Sequence, residues 1–519
     1  MISPSTLKRE LRITGSQLRI QEVPKRKTVL IVGAGTAGLT IANRLQDHFA
    51  VTVVDKSCHK ALPWIYKIPM MIGLVFRSDR LDHVTKRELT LDSGRKIPFY
   101  ESNLLGGASA MNGCVHVFGF KERWKKVLER FGISIESLKK SNDDIYSYDC
   151  GITDKITLMH AHQNIIDRYF CETLNLRDIK TDDMSYTENQ ACGPIQNTVR
   201  KRFRTSVLSF AKAREFKCLL NKKVESLMID EQGFVKGIRT SKSEMKADHV
   251  ILSAGVIGSC DLLLREKDRG LSKQLRGLPV GENIQDHTNL RVNVVATEPI
   301  GSMNEIADSV LKKISLGFKH TFGISTVLRG TGATSAAYLD LDGDGEIDTR
   351  LQILQFAETG RHASNGSLFG SNQPSFSISI NTIFPESRGS ITLDGEDNVV
   401  DPCFLQNDKD IQLLKLAVAY SIDLLKAPPL NNYVKRIEHE DAMCNDPEKY
   451  IRDTMYSGHH LIGGLHDVID RDFNVKNTKG LSVCDASVFD QYVASNIHSS
   501  VLLLADVYAK KFLDKNLSA

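Results

Sequence analysis

The stretch Thr28-Val29-Leu30-Ile31-Val32, running into Gly33-Ala34-Gly35-Thr36-Ala37-Gly38, constrains this chain more than any other feature. The largely β-branched run describes a strand buried on both faces, as in a parallel sheet. Gly33 permits a tight turn, Gly35 lets backbone N–H groups approach a pyrophosphate, and Gly38 lets the next helix sit close to the strand. That helix, Thr36 to Leu45, directs its positive end, with Thr36 and Ala37, at the phosphates. A second apolar run, Val51-Thr52-Val53-Val54, ends in Asp55, 20 residues after Gly35. A carboxylate there can accept hydrogen bonds from an adenosine ribose. Strand, glycines, helix, second strand and terminal acid together predict a bound dinucleotide.

At 519 residues the chain is too long for one simple core, and two large domains are expected. With 41% hydrophobic and 25% charged residues it has the composition of a globular protein. A formal charge of +4 gives no argument for nucleic acid. No apolar run reaches the roughly 18 residues of a transmembrane helix. The first 27 residues carry seven Lys/Arg and two Glu without an apolar stretch, which predicts a basic arm and not a secretory signal. Ten cysteines are scattered with no CxxC and no zinc spacing, which predicts reduced thiols in a cytoplasmic protein and no structural metal.

Further along, Gly106 to Gly113 is a second glycine-rich loop, and amphipathic stretches follow at Lys121–Phe131 and His160–Leu174. Val224–Asp230 and Phe234–Thr240 read as a hairpin around Glu231-Gln232-Gly233. His249–Ser253 is a buried strand entering Ala254-Gly255 and a helix. Residues 290–450 change character. Alternating runs such as Ser375–Asn381 and Gly389–Leu393 predict an antiparallel sheet, and a helix follows at Lys409–Leu425. A last strand and turn, Gly480 to Asp485, and a helix from Ser499 close the chain.

Five blocks in this order resemble the glucose-methanol-choline (GMC) family of FAD-dependent oxidoreductases. They are the opening fingerprint; Gly106-Gly107-Ala108-Ser109-Ala110-Met111-Asn112-Gly113, similar to GGSSAxNG; Val250 to Leu264; Leu278 to Asp286-His287, similar to LPGVGENLQDH; and Gly458 to Ala505. Pro385 to Ser390 resembles the PxSRGS turn. The resemblance implies a mixed α/β fold, a Rossmann-like FAD-binding domain with an inserted substrate domain built on an antiparallel sheet with helices. It assigns 28–120, 193–289 and 451–519 to the FAD-binding domain. Segments 121–192 and 290–450 fall to the substrate domain.

The same resemblance implies oxidation of a small-molecule alcohol to a carbonyl, with hydride passing to the flavin and electrons leaving to oxygen or a quinone-like acceptor. The HxxG motif selects His460 over His459 as the base, a task suited to a group that titrates near neutrality. His498 takes the partner position on the substrate oxygen, with Asn496 as rival. Gly107, Asn112, Gly113, Val115 and Ala254 are expected along the cofactor, with Asp485 and Ala486 beside flavin and pyrophosphate and Val224 on the adenine. Met111 stands where some relatives carry a covalently linked histidine, so the FAD is expected to be non-covalent. The alternative is the same fold with other flavin chemistry, a lyase or decarboxylase.

Two features stand apart. Asp340 to Asp348 follows the first nine positions of an EF-hand loop, but position 12 is Leu351, so an acidic, solvated turn is expected. Phe318, Phe322, Phe356 and Phe369 could wall an apolar substrate pocket, although phenylalanines at that density are more often core.

Overall fold

The computed structural model describes residues 26–517 apart from 59–62, 76–82, 92–93, 211–215, 270, 272, 308 and 358–372. All but the end of the basic arm, and Phe369, lie outside these. The opening strand Thr28–Val32 is the middle of a five-stranded parallel sheet, in the order Lys217–Leu219, Ala50–Val54, Thr28–Val32, His249–Leu252 and Leu481–Val483. Strands from the beginning, middle and end of the chain thus share one sheet. The helix Thr36–Leu45 packs on the final helix His498–Leu517. Ser499 to Ala509 are buried without a break, so that last helix shows no apolar stripe. Its buried Asp506 is held by Arg44 of the glycine-loop helix and, at 2.9 Å, by Lys510.

The glycine loop is as tight as its sequence demands. Gly33 has φ +111°, and a Cβ on Gly38 would stand 1.9 Å from the Gly33 carbonyl oxygen. The close approach of helix to strand is therefore sterically closed to any side chain.

The second large layer is an eight-stranded sheet whose central strands are Thr288–Ala296, Ser375–Thr382, Thr349–Leu354 and Ala333–Leu339, each antiparallel to the next. The alternating Ser375–Thr382 run is a strand but is buried along its whole length. Its apolar face meets the helix Asp408–Lys426, and Ser379 on the other face lines a cleft. The alternation therefore separates core from cavity, not core from solvent. The acidic turn Asp340 to Asp348 joins two of these strands and brings oxygens of Asp340, Asp342 and Asp348 within 4.8 Å of one another.

Phe318 and Phe322 take up neither alternative, pocket wall or core. Phe318 and Phe322 are 62% and 67% exposed, on and after a surface helix Val310–Thr321, and Phe356 alone of the described three lines a cleft. The helix turns these rings away from the sheet because only Leu316 and His320 seat it.

Gly38→Ala should lower unfolding stability in urea by about 3 kcal/mol and abolish retention of the dinucleotide, because the added methyl cannot avoid a backbone oxygen.

Candidate active site

Two clefts meet beside the glycine loops. The first is lined at one end by Gly33, Gly35, Thr36, Ala37 and Asp55. Gly107, Asn112, Gly113 and Val115 of the second glycine loop line it, as do Ala254, Asp485 and Ala486. The two loops nearly touch: a Cβ on Gly107 would lie 2.8 Å from the Cα of Gly35. The glycine-loop helix begins at Gly35 with no side-chain cap and no acid in its first turn, so its leading N–H groups are left for an anion. Asp55 accepts from the N–H of Ala34 (2.5 Å) and of Ser57 (2.6 Å), and keeps lone pairs for a ribose. These features fit a dinucleotide.

Two expected cofactor residues lie elsewhere. Gly38 packs under the turn, and Val224 opens the strand Val224–Ile229 of a three-stranded sheet, half-buried against the core and outside the cleft lining. Asp485 lines the cleft but spends its oxygens on the protein. It accepts from Gly255 N–H (2.9 Å), Ser259 Oγ (2.6 Å), and the N–H (2.8 Å) and Oγ (2.5 Å) of Ser487. It thereby fixes the start of the helix Gly255–Lys267, and burial pushes its pKa up against those bonds.

The second cleft shares Asn112, Gly113, His459, His460 and Asn496 with the first and extends under the eight-stranded sheet past Arg350, Gln352, Leu354 and Phe356. A chain of hydrogen bonds crosses the junction. His287 Nε2 lies 2.9 Å from the Ile383 carbonyl, His287 Nδ1 lies 2.9 Å from His460 Nδ1, and His460 Nε2 lies 3.1 Å from Asn496 Nδ2. Asn496 Oδ1 accepts from Arg350 Nη1.

The two ends of this chain determine its protons. A carbonyl only accepts, so His287 carries its proton on Nε2 and its Nδ1 is bare. A guanidinium only donates, so the Asn496 amide turns its oxygen to Arg350 and its N–H to His460. Burial pulls the His287 pKa down to about 3 and that of His460 well below 6.5, so both rings are neutral. His460 then donates from Nδ1 and presents a lone pair on Nε2 at the junction of the clefts.

The backbone around this pair is clamped by Asp286. Its carboxylate accepts from the N–H groups of His287 and His460, each at 2.8 Å, and from Ser457 Oγ. Burial pushes its pKa up to about 7. Tyr492 stacks on His287 at 3.8 Å and donates to the His460 carbonyl at 2.9 Å. His459 is turned aside: its Nδ1 donates to the Ser457 carbonyl (2.9 Å) and its ring stacks on Phe99 and Tyr100.

Family models described as GMC oxidoreductase match residues 27–289 and 385–505, well over half the chain. The chain belongs to the GMC oxidoreductase family. It is an FAD-dependent oxidoreductase of a family that oxidises alcohols. Curated relatives include oxygen-dependent choline dehydrogenases of Ectopseudomonas mendocina (22% identical, covering 94% of each chain) and Pseudomonas putida (24%, covering 93% of each). Among solved structures, a pyridoxine 4-oxidase from Mesorbium loti superposes with TM-score 0.79 at 18% identity, over 94% of this chain and 99% of that one. A formate oxidase variant of Aspergillus oryzae RIB40 gives 0.82 at 18%, over 95% and 99%. No described helix is long and apolar enough to cross a membrane.

In this GMC oxidoreductase the residue that meets His460 is Asn496, not His498. His498 is the first residue of the final helix and lines only the dinucleotide cleft; both of its ring nitrogens are buried without a partner among the described residues. One residue beyond Ile497 the chain has already turned into the helix, so residues 496 and 498 do not share the face an extended segment would give them. His116 bonds to Ser499 Oγ at 2.8 Å and lines neither cleft.

Asp286 and His287 stand inside the block similar to LPGVGENLQDH, and an acid beside a histidine is their signal in the sequence. Arg350 was missed; its signal was a charge inside the otherwise apolar-polar alternation Thr349–Leu354. His287→Leu should cost about 1–3 kcal/mol in urea unfolding, because it strands the His460 Nδ1–H, while the flavin absorbance of the folded protein remains.

Proposed function

We propose that the junction of the two clefts oxidises an alcohol, with His460 as the base and Asn496 as the donor to the substrate oxygen. The observation that carries this reading is the bare His460 Nε2 facing a cleft that is continuous with the dinucleotide site. The alcohol O–H takes over that lone pair from Asn496, whose Nδ2–H then donates to the alcohol oxygen and holds its carbon toward the first cleft. Bound FAD supplies the acceptor for the hydride. His287 steadies His460 as the proton arrives, since His287 Nδ1 accepts from His460 Nδ1 throughout. Asp55 would hold the adenosine ribose, and the N-terminus at Gly35 the pyrophosphate. The domain division expected from the sequence, with the antiparallel sheet walling the substrate, is part of this proposal. So is the return of electrons to oxygen or a quinone-like acceptor.

Anaerobic mixing of the purified holoenzyme with diverse alcohols should bleach the flavin, and denaturation should release FAD. His460→Ala should retain FAD and lose about 10²- to 10⁴-fold in the rate of flavin reduction; an unchanged rate overturns the assignment of the base. Because the fold depresses the His460 pKa, the base stays unprotonated below pH 6.5. The kcat/KM profile should therefore hold level from pH 8 down through 6.5 and fall only at lower pH.

A further inference from the structure

The substrate cleft contains a cation that no carboxylate among the described residues neutralises. Arg350 is 4% exposed, lines the cleft, and has no carboxylate partner among the described residues. Its hydrogen-bond acceptors are neutral, Ser495 Oγ (3.1 Å) and Asn496 Oδ1, and its Nε is buried with no acceptor. Two residues along the same face of the strand Thr349–Leu354, Gln352 is 6% exposed and its amide nitrogen is likewise unpartnered. No Asp or Glu is among the residues lining this cleft. A buried guanidinium costs several kcal/mol unless an anion meets it, and its planar fork matches a carboxylate.

We propose that Arg350 and Gln352 form a carboxylate subsite, and that the substrate is a hydroxy acid; this rests on the alcohol-oxidation reading above. Arg350 is separated from His460 only by the Asn496 amide, so carboxylate and hydroxyl are close, as in a 2- or 3-hydroxy acid. The same strand face continues from Gln352 to Leu354 and on to Phe356, with Met70 and Ile72 also lining the cleft, so the remainder of the substrate is apolar. The carbon bearing the hydroxyl is oxidised to an oxo group; its hydride passes to the flavin and its hydroxyl proton to His460.

The test uses the FAD-loaded enzyme with 2- and 3-hydroxyhexanoate, their amides, 1-hexanol and choline as anaerobic reductants, and hexanoate as a redox-silent probe of the flavin spectrum. The acids should reduce the flavin at least about tenfold more efficiently than their amides, and choline should not reduce it. Hexanoate should perturb the spectrum, with affinity falling about tenfold or more in Arg350→Gln and Gln352→Leu. Gln352→Leu keeps the bond to Asn496 intact. Amides equal to acids, or variants that slow both alike, overturn the subsite and leave Arg350 as a positioning residue. Bleaching by hexanol and amides but not acids removes the subsite and keeps alcohol oxidation. Hexanoate binding that depends on Arg350, without bleaching by any alcohol, keeps the subsite and removes alcohol oxidation.

A separate observation concerns the helix Val310–Thr321. Val310, Leu311, Ile314 and Phe318 are between 62% and 79% exposed, and Phe322 and Ile324 follow them on the surface. At helical spacing they form one face, with Lys312 and Lys319 along one edge and Lys313 along the other. Leu316, on the opposite side, packs against the cluster of Met70, Met303, Val327 and Leu328, of which Met70 lines the substrate cleft. An apolar face edged by lysines is matched by an anionic lipid surface: rings enter the acyl boundary and ammonium groups reach the headgroups.

We infer that this helix seats the enzyme on an anionic membrane with the substrate cleft close to the lipid. Co-sedimentation with phosphatidylglycerol vesicles should retain the holoenzyme, phosphatidylcholine vesicles should retain much less, and Ile314→Glu with Phe318→Glu should release it by tenfold or more while FAD and turnover of a water-soluble alcohol persist. Equal retention of the double variant, absence of retention of the wild type, or a solution dimer that the double variant dissolves overturns the inference.

Discussion

The site depends on a proton order imposed from its two ends. The Ile383 carbonyl can only accept and the Arg350 guanidinium can only donate, and between them stand two imidazoles and an amide that could each be arranged in two ways. Fixing the ends fixes the middle, so that His460 Nε2 is unprotonated and accepts from the Asn496 amide, at the place where two clefts join. Burial keeps both rings neutral, and without it the same geometry would hold an imidazolium and offer no base. Much of the surrounding structure serves this chain. Asp286 clamps the backbone of both histidines, Tyr492 stacks beneath one and bonds the other, and Ser495 with Tyr338 braces Arg350.

A second constraint is steric. Gly33, Gly38 and Gly107 allow three pieces of backbone to approach more closely than any side chain permits. That closeness brings the helix N-terminus and the second glycine loop to the same cleft, so the phosphate end and the reactive end of one long cofactor are set by a continuous rigid surface. Asp485 acts from within this surface, organising the Gly255–Lys267 helix with bonds to protein.

Much of the parallel sheet was legible in the sequence. The runs at 28–32 and 50–54 and the buried strand at 249–252 are continuous and β-branched, and local pattern suffices where both faces are buried. His460 stands in a motif of short spacing, and the structure places it where the two clefts meet. The choice between His498 and Asn496 was not legible, because it turned on whether the chain at 497 is still extended or has entered a helix, a difference of one residue in where the final helix begins. Arg350 and His287 were hidden for another reason: they lie 110 and 173 residues from His460 in sequence, and only antiparallel pairing of distant strands brings them to it. The phenylalanines at 318 and 322 misled because aromatic density in a sequence usually reports a core, whereas here the helix is seated by only two of its residues.

The sequence by itself determined the dinucleotide cradle, the family and the histidine proposed as base, since each is encoded by residues close together that backbone sterics and local spacing single out. The tertiary structure alone decided which residue meets that histidine, which way its protons run, and that an arginine with no carboxylate partner among the described residues lines the second cleft. These are properties of groups brought together from remote segments, and their charge states follow from burial, which no local pattern specifies.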